Sequence, residues 1–167
     1  HGIAHTEVST PDTTVLHGVQ WWVALPADAA NTARDFAHYA PPAITVGGVT
    51  ALVFLGTLLG STSPVETFTP LLGAELRIPP GADVTLDVDP GFEHGFLVDS
   101  GRVEIVDSTT GPLERTELGY VGVGAETVVL ANRGDDDARV IVLGGAPFDD
   151  DIIMWWNFVG RTHEEIV

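Results

Sequence analysis

The stretch DVTLDVDPGFEHGFLVDSGRVEIV, residues 83–106, decides the fold. Apolar and polar residues alternate in DVTLDVD and again in RVEIV, with the period of two that antiparallel strands show when one face is wet. The residues between the strands, DPG and DSG, supply turn chemistry. The stretch therefore predicts consecutive antiparallel strands joined by short turns.

The same pattern continues in both directions from this stretch. Apolar or alternating segments bounded by Gly, Pro, Asp and Asn run from residue 43 to residue 145, without strand–helix alternation. The further segments are AITV (43–46), VTALVFLG (49–56), GAELRIPPG (73–81), LGYVGVG (118–124), ETVVLANRG (126–134) and ARVIVLGG (138–145). Many short strands of this kind predict an all-β protein, an antiparallel β-barrel or sandwich.

Three elements are predicted outside this region. The alternation in TTVLHGVQWWVALP predicts a strand over residues 13–26, and NTARDFAHY predicts a short connector helix that begins after Asn31 as its N-cap. Near the other end, RTHEEI predicts the start of a second helix, with Thr162 as N-cap and Glu165 completing a capping box.

Two pairs of adjacent tryptophans occur in this sequence, in VQWWV (19–23) and MWWNF (154–158). Neighbouring residues of an extended segment point to opposite faces, so one tryptophan of each pair can enter an apolar environment. We expect that tryptophan to pack in a core or between barrels.

Composition limits the possible functions. The 167 residues include 24 acidic and 7 basic side chains, for a net charge of −17 that repels a phosphate backbone and argues against nucleic acid as a partner. The absence of cysteine excludes disulfides and thiol chemistry and fits a reducing compartment, so we expect a cytoplasmic protein. The apolar stretch at residues 49–60 is too short to cross a bilayer, so no membrane is expected as a partner.

A candidate metal-binding pair lies near the beginning, in HGIAHTEVST. His5 and Glu7 are two residues apart, so in a strand both would face one side. An imidazole and a carboxylate are ligands for divalent transition metals. From these residues alone, the pair is either part of a metal site or two exposed polar side chains.

Five stretches taken together resemble the bacterial members of the pirin family, within the cupin superfamily. They are GIAHTEVS (2–9), LHGVQWWVALP (16–26), SPVETFTPLLGAEL (63–76), GFEHGFLVDSG (91–101) and GGAPFDDDIIMWWNFVGRTHEEI (144–166). The resemblance implies two cupin-like barrels of the jelly-roll type. Residues 1–40 would be the end of the N-terminal metal-binding barrel plus the connector helix, and residues 41–167 a metal-free C-terminal barrel. The sequence then looks like a fragment that lacks most of the first barrel.

The resemblance also implies a metal site. In pirins, a mononuclear iron is held by an upstream His-x-His segment and by the histidine and glutamate that match His5 and Glu7. The implied cofactor is therefore Fe(II) or another divalent metal, such as Mn, Ni, Cu or Co, in a site that this chain leaves incomplete. His94 is a single histidine where a metal-binding cupin barrel would show a pair, so we expect it to be structural or a polar group in a shallow cavity.

The implied activity is that of a quercetin 2,3-dioxygenase, in which dioxygen cleaves the central ring of a flavonol and releases carbon monoxide. Glu7 would be both a ligand and the base that takes the flavonol hydroxyl proton, and His5 a ligand only. The fragment would be inactive alone and would need the missing N-terminal segment as a partner. The alternative is a metal-dependent regulatory module that binds another protein and has no catalysis of its own.

Overall fold

The structure, a computed structural model, describes residues 6–156 and 158–166. The chain divides into two compact units. One is Ala37–Phe148, and the other combines the chain on either side of it.

Nearly all of the regular structure in the described residues is β-strand. The strands are β1 Ile44–Val46, β2 Val49–Leu55, β3 Thr57–Leu58, β4 Ser61–Thr62, β5 Leu71–Ile78, β6 Asp83–Asp87, β7 Glu93–Ser100, β8 Glu104–Ile105, β9 Leu118–Val121, β10 Thr127–Ala131, β11 Ala138–Gly145, β12 Ile153–Trp155 and β13 Phe158–Gly160. The segments predicted between residues 43 and 145 all contain a strand, which confirms the all-β prediction.

The Ala37–Phe148 unit contains two main antiparallel sheets and the two-stranded sheet of β3 and β4. The larger has the strand order β1-β2-β5-β11-β7-β9 and the smaller the order β6-β10-β8. Strands distant in sequence are neighbours, since β11 lies between β5 and β7. This double-sheet arrangement with long connections is consistent with the jelly roll of cupins, although the two sheets do not close into a barrel.

One apolar core joins the two sheets. Leu76 and Phe96 of the larger sheet and Leu86 and Leu130 of the smaller one have no exposed surface and belong to the same cluster. Burial of a side chain of this size stabilises the fold by about 1.5–3 kcal/mol. The alternation seen in the sequence therefore produces the core, because each strand places every second residue between the sheets.

The predicted strand over residues 13–26 does not form. Val15 and Leu16, which would lie on opposite faces, are 76% and 78% exposed. A strand is stabilised by hydrogen bonds to a neighbour, and within the described residues no strand pairs with this segment. Alternation alone therefore predicts a segment able to form a strand, and the described residues supply no neighbouring strand for it.

The predicted connector helix is also wrong. Two successive turns precede it, with the Ala29 amide donating to the Pro26 carbonyl and the Thr32 amide to the Ala29 carbonyl, and residues 32–40 have no regular structure. No α-helix occurs in residues 6–156 or 158–166. Phe36, the largest apolar residue of the expected helix, is 87% exposed, so the packing that stabilises short helices is missing.

The C-terminal helix is reduced to one 3₁₀ turn, His163–Glu165. Thr162 is its N-cap residue but makes no capping hydrogen bond with its side chain. Glu165 instead accepts a hydrogen bond from the Arg161 amide at 2.6 Å. The acidic half of the expected capping box is thus displaced by one residue.

None of the helices that the described part of the chain contains is long and apolar enough to span a membrane.

The tryptophans are not in a core. Trp21 and Trp22 are 36% and 47% exposed, and Trp155 and Trp156 are 59% and 82% exposed. In the hairpin of β12 and β13, Trp155 stacks on Phe158 with ring centroids 6.4 Å apart. Packing of one tryptophan of each pair in a core is therefore wrong for the described residues, and packing between barrels stays a prediction.

Candidate functional site

Only one member of the predicted metal-binding pair lies in the described part of the chain. His5 falls outside the described residues. Glu7 is exposed, and its Oε1 accepts a hydrogen bond from the Gln20 side-chain amide at 3.5 Å. Residues 6–10 form no strand, so Glu7 is not positioned by a strand face. Within residues 6–156 and 158–166, no group of three or more His, Asp or Glu side chains could hold a metal ion.

A cavity lies at one end of the Ala37–Phe148 unit. It is located where β2 and β6 end and β5 begins, and its volume of about 360 Å³ is within the range of small-molecule sites. The residues around it are Gly56, Thr57, Ser63, Val65, Thr67, Pro70, Leu71, Leu72, Asp87, Val88, Asp89 and Phe92.

The hydroxyl groups of the cavity wall are already hydrogen-bonded within the protein: Thr57 pairs with the Thr62 hydroxyl at 3.0 Å, and the Ser63 oxygen accepts from the Val65 amide at 3.2 Å. The Ser63 hydroxyl donates its proton to the Phe54 carbonyl at 2.7 Å, and the Thr67 hydroxyl donates to the Thr69 carbonyl at 2.6 Å. Asp87 and Asp89 contribute carboxylates, and Asp89 Oδ1 accepts from the Gly91 amide at 2.8 Å. Among the described residues that line the cavity there is no Lys, Arg or His.

His94 lies behind this wall. Its side chain is 1% exposed, and its ring centroid is 6.1 Å from that of Phe92, which lines the cavity. Neither ring nitrogen has a hydrogen-bond partner among the described residues. Burial lowers the pKa of His94, and this effect outweighs the negative charge of Asp89, which acts to raise it. The neutral imidazole is therefore favoured. Of the two expectations for His94, the structural role agrees with this burial.

A second cluster of charged side chains lies on the larger sheet. Glu75 accepts hydrogen bonds from Arg77 at 3.1 Å and from Arg139 at 2.7 Å. Arg139 also lies 3.3 Å from Asp99. Burial acts to raise the pKa of Glu75, but the hydrogen bonds from the two arginines outweigh it and hold the pKa below its ordinary value. Two cations balance two carboxylates here, so the cluster has the character of a structural ion-pair network.

The sequence did not reveal the cavity. The alternation and the turn residues place Asp87 and Asp89 at the end of a strand and the start of a turn. The signal available was their spacing, since residues i and i+2 of an extended segment face the same side. Apart from Val88 and Phe92, the rest of the wall comes from the segment between β2 and β5 and from the start of β5. These residues meet the end of β6 only because the two sheets pack against each other.

Comparison with known proteins gives consistent matches. The family profile of the Pirin C-terminal cupin domain matches residues 73–167. The chain is 41% identical over 167 residues to the Pseudomonas aeruginosa protein named "Putative quercetin 2,3-dioxygenase", covering 99% of this chain and 51% of that protein. It is 28% identical over 169 residues to human pirin, covering 99% of this chain and 58% of that protein. The chain thus spans about half the length of the curated relatives it matches.

Solved structures agree with these matches. A crystal structure of quercetin 2,3-dioxygenase from Acinetobacter baumannii superimposes with a TM-score of 0.75 at 31% identity, covering 86% of this chain and 47% of that one. A Geobacillus kaustophilus protein superimposes with a TM-score of 0.65 at 19% identity, covering 78% of this chain and 54% of that one. The second match supports the fold alone.

Proposed function

The chain belongs to the pirin family, and we propose that a pirin-type protein carrying it acts as a metal-dependent dioxygenase of flavonols such as quercetin. The observation that carries this proposal is the similarity, over nearly the whole chain, to the Pseudomonas aeruginosa protein named for that activity. Flavonol and dioxygen would be its substrates. The absence of cysteine supports a cytoplasmic location as part of the proposal.

The proposed metal ligands in this chain are His5 and Glu7. The described residues offer one of them, the exposed carboxylate of Glu7, and do not by themselves make a complete donor set. Two further ligands from outside this chain would be needed. A carboxylate with imidazoles suits Fe(II), Mn, Ni, Cu or Co, and such a metal would supply the oxygen chemistry when bound.

Glu7 is also proposed to accept the proton of the flavonol hydroxyl. A base must lie within hydrogen-bond reach of the proton that it abstracts, and an exposed carboxylate is open to a substrate. The amide of Gln20 donates to one carboxylate oxygen, Oε1, and thereby favours one orientation of the side chain.

The test is quercetin consumption with carbon monoxide release in a pirin-type protein that carries this chain together with an N-terminal barrel. Glu7→Gln should lower kcat/KM at least about 100-fold, the lower end of the effect of a general base, and should reduce the bound metal. Glu66→Gln, at another exposed position, should leave both unchanged. Turnover that equals that of free metal in solution would overturn the proposal, as would full activity and metal content in Glu7→Gln.

The second candidate is a regulatory module that binds another protein. The observation that favours it is the hairpin of β12 and β13, where Met154, Trp155, Trp156 and Phe158 are between 53% and 82% exposed. Contiguous exposed apolar side chains mark interaction surfaces. A metal-loaded protein that does not consume quercetin, and whose metal content changes its affinity for a protein partner, would favour this candidate.

A further inference from the structure

We propose that Arg161 is a positioning residue for Glu7 and acts through residues 20–25, which rests on the role of Glu7 as a metal ligand proposed above. Arg161 lies in the C-terminal part of the chain, far from Glu7 in the sequence. Both belong to the same compact unit. Two hydrogen bonds connect them, one at each end of residues 20–25.

The first hydrogen bond joins Arg161 to Leu25. The Arg161 Nη2 donates to the Leu25 carbonyl, and its Nε donates to Asp150 Oδ2 at 2.9 Å. The Arg161 side chain is 25% exposed, and the Asp150 carboxylate balances its charge. Because a guanidinium presents its donors in a rigid planar fork, the bond to Asp150 also orients the Nη2 that reaches Leu25. Arg161 thus clamps Leu25 to the C-terminal part of the chain.

The position of residues 20–25 depends on this clamp. Within residues 6–156 and 158–166 no strand pairs with them, so they are not held by a ladder of backbone hydrogen bonds. Leu25 precedes Pro26, which favours an extended backbone at Leu25, and the Pro26 carbonyl accepts from the Ala29 amide in a turn. The bond from Arg161 therefore fixes the segment at the point where it enters that turn.

The second hydrogen bond joins Gln20 to Glu7. The Gln20 side-chain amide donates to Glu7 Oε1 at 3.5 Å, which is at the outer limit for a hydrogen bond. A bond of this length is lost when either partner moves slightly away. Both side chains are exposed, so burial does not fix them. The orientation of the Glu7 carboxylate is therefore sensitive to the position of the segment that Arg161 clamps.

The first test measures metal affinity, in a pirin-type protein that carries this chain together with an N-terminal barrel. The protein is titrated with Mn(II), and free Mn(II) is counted by its electron paramagnetic resonance signal. Arg161→Met should weaken Mn(II) binding about tenfold, the lower end of the effect of a residue that orients a metal ligand. The matched control is Arg115→Met, which removes another hydrogen bond from an arginine to a backbone carbonyl, that of Asp99, and should leave the affinity unchanged.

A cycle of variants separates positioning from a general structural role. Gln20→Leu should itself weaken Mn(II) binding, and Arg161→Met added to it should weaken binding no further, because Arg161 acts through Gln20. Additive losses would overturn the proposal, as would an unchanged affinity in Arg161→Met. A parent protein that binds no Mn(II) would instead overturn the proposed metal site, and the clamp is then decided by the position of the segment.

That position is measured in the metal-free chain. The 167 residues contain no cysteine, so Val23→Cys and Val159→Cys, at exposed positions of one compact unit, place one spin label on the segment and one on β13. The distribution of distances between the labels should be narrow in the parent chain and broader with Arg161→Met. Thermal unfolding checks that the variants are folded, as expected from a main apolar cluster that lies in the Ala37–Phe148 unit. Equal widths would overturn the clamp and the proposal with it.

Discussion

Glu75 shows how a single residue can be both buried and ionised. It is 8% exposed, lies between Arg77 on its own strand and Arg139 on β11, and accepts a hydrogen bond from each. Its two carboxylate oxygens are used by different arginines. A carboxylate so placed stabilises the fold only in its charged form, because protonation removes an acceptor and leaves two cations with less compensation.

Glu75→Gln should lower the free energy of unfolding by about 2 kcal/mol at pH 7, below the cost for a fully buried pair because Arg139 is partly exposed. In the unfolded chain the pKa of a glutamate is about 4.3, and in the folded protein the pKa of Glu75 is lower. The stabilisation by the carboxylate is therefore fully present above the unfolded pKa and is lost as the pH falls through the folded pKa. Urea unfolding of the parent and the variant at pH 7 and near pH 3 measures the loss of stability and its dependence on pH.

The matched control is Glu126→Gln, at an exposed position outside the network, which should change the free energy of unfolding by less than about 0.5 kcal/mol. The difference between parent and Glu75→Gln should shrink at the lower pH. A difference that stays constant between the two pH values would show that the carboxylate charge is not what stabilises the sheet.

At the scale of elements, local alternation predicted most strands but not all. It succeeded for β5, β7 and β11, whose neighbours lie within the same chain and supply the ladder hydrogen bonds. It failed for residues 13–26, where the same alternation meets no partner strand in the described structure. The family resemblance predicted the jelly roll, but the cavity could not be predicted because it depends on how the two sheets pack against each other.

The contact between β5, β11 and β7 at Gly144 depends on the absence of a side chain. Gly144 pairs with Leu72 on one side and with His94 on the other. A Cβ at position 144 would lie 2.9 Å from His94 Cδ2 and 3.2 Å from Leu72 Cβ. Both distances are shorter than ordinary carbon contacts, so one of the neighbours would have to move.

Gly144→Ala should therefore destabilise the protein by about 1–3 kcal/mol, the usual cost of overpacking. Combining it with His94→Ala should cost less than the sum of the two single changes, because the smaller side chain makes room for the methyl group. Thermal or urea unfolding of the four proteins in this cycle gives the coupling. Gly18→Ala, where an added Cβ meets no atom within 4 Å, serves as the control. Strict additivity would contradict the steric explanation.

At the scale of the whole molecule, the stabilising contacts are distributed unevenly along the chain. The main apolar cluster runs from Ile44 to Val142 and belongs entirely to the Ala37–Phe148 unit. The other unit has β12, β13 and one 3₁₀ turn as its regular structure in the described residues. An isolated two-stranded hairpin is marginal in water, so the local free energy of opening should differ strongly between the two units.

Hydrogen exchange followed by mass spectrometry should resolve this difference. Amides of β5 and β11, which are central in the larger sheet, should be among the slowest to exchange, because they open only when the core does. Amides of residues 13–24, which have no strand ladder, should exchange within the earliest time points. Gly144→Ala provides the internal check: it should speed exchange in β5 and β11 and leave residues 13–24 unchanged. Slow exchange throughout residues 13–24 would contradict this account, because it would require a continuous strand ladder, which the described residues do not form with that segment.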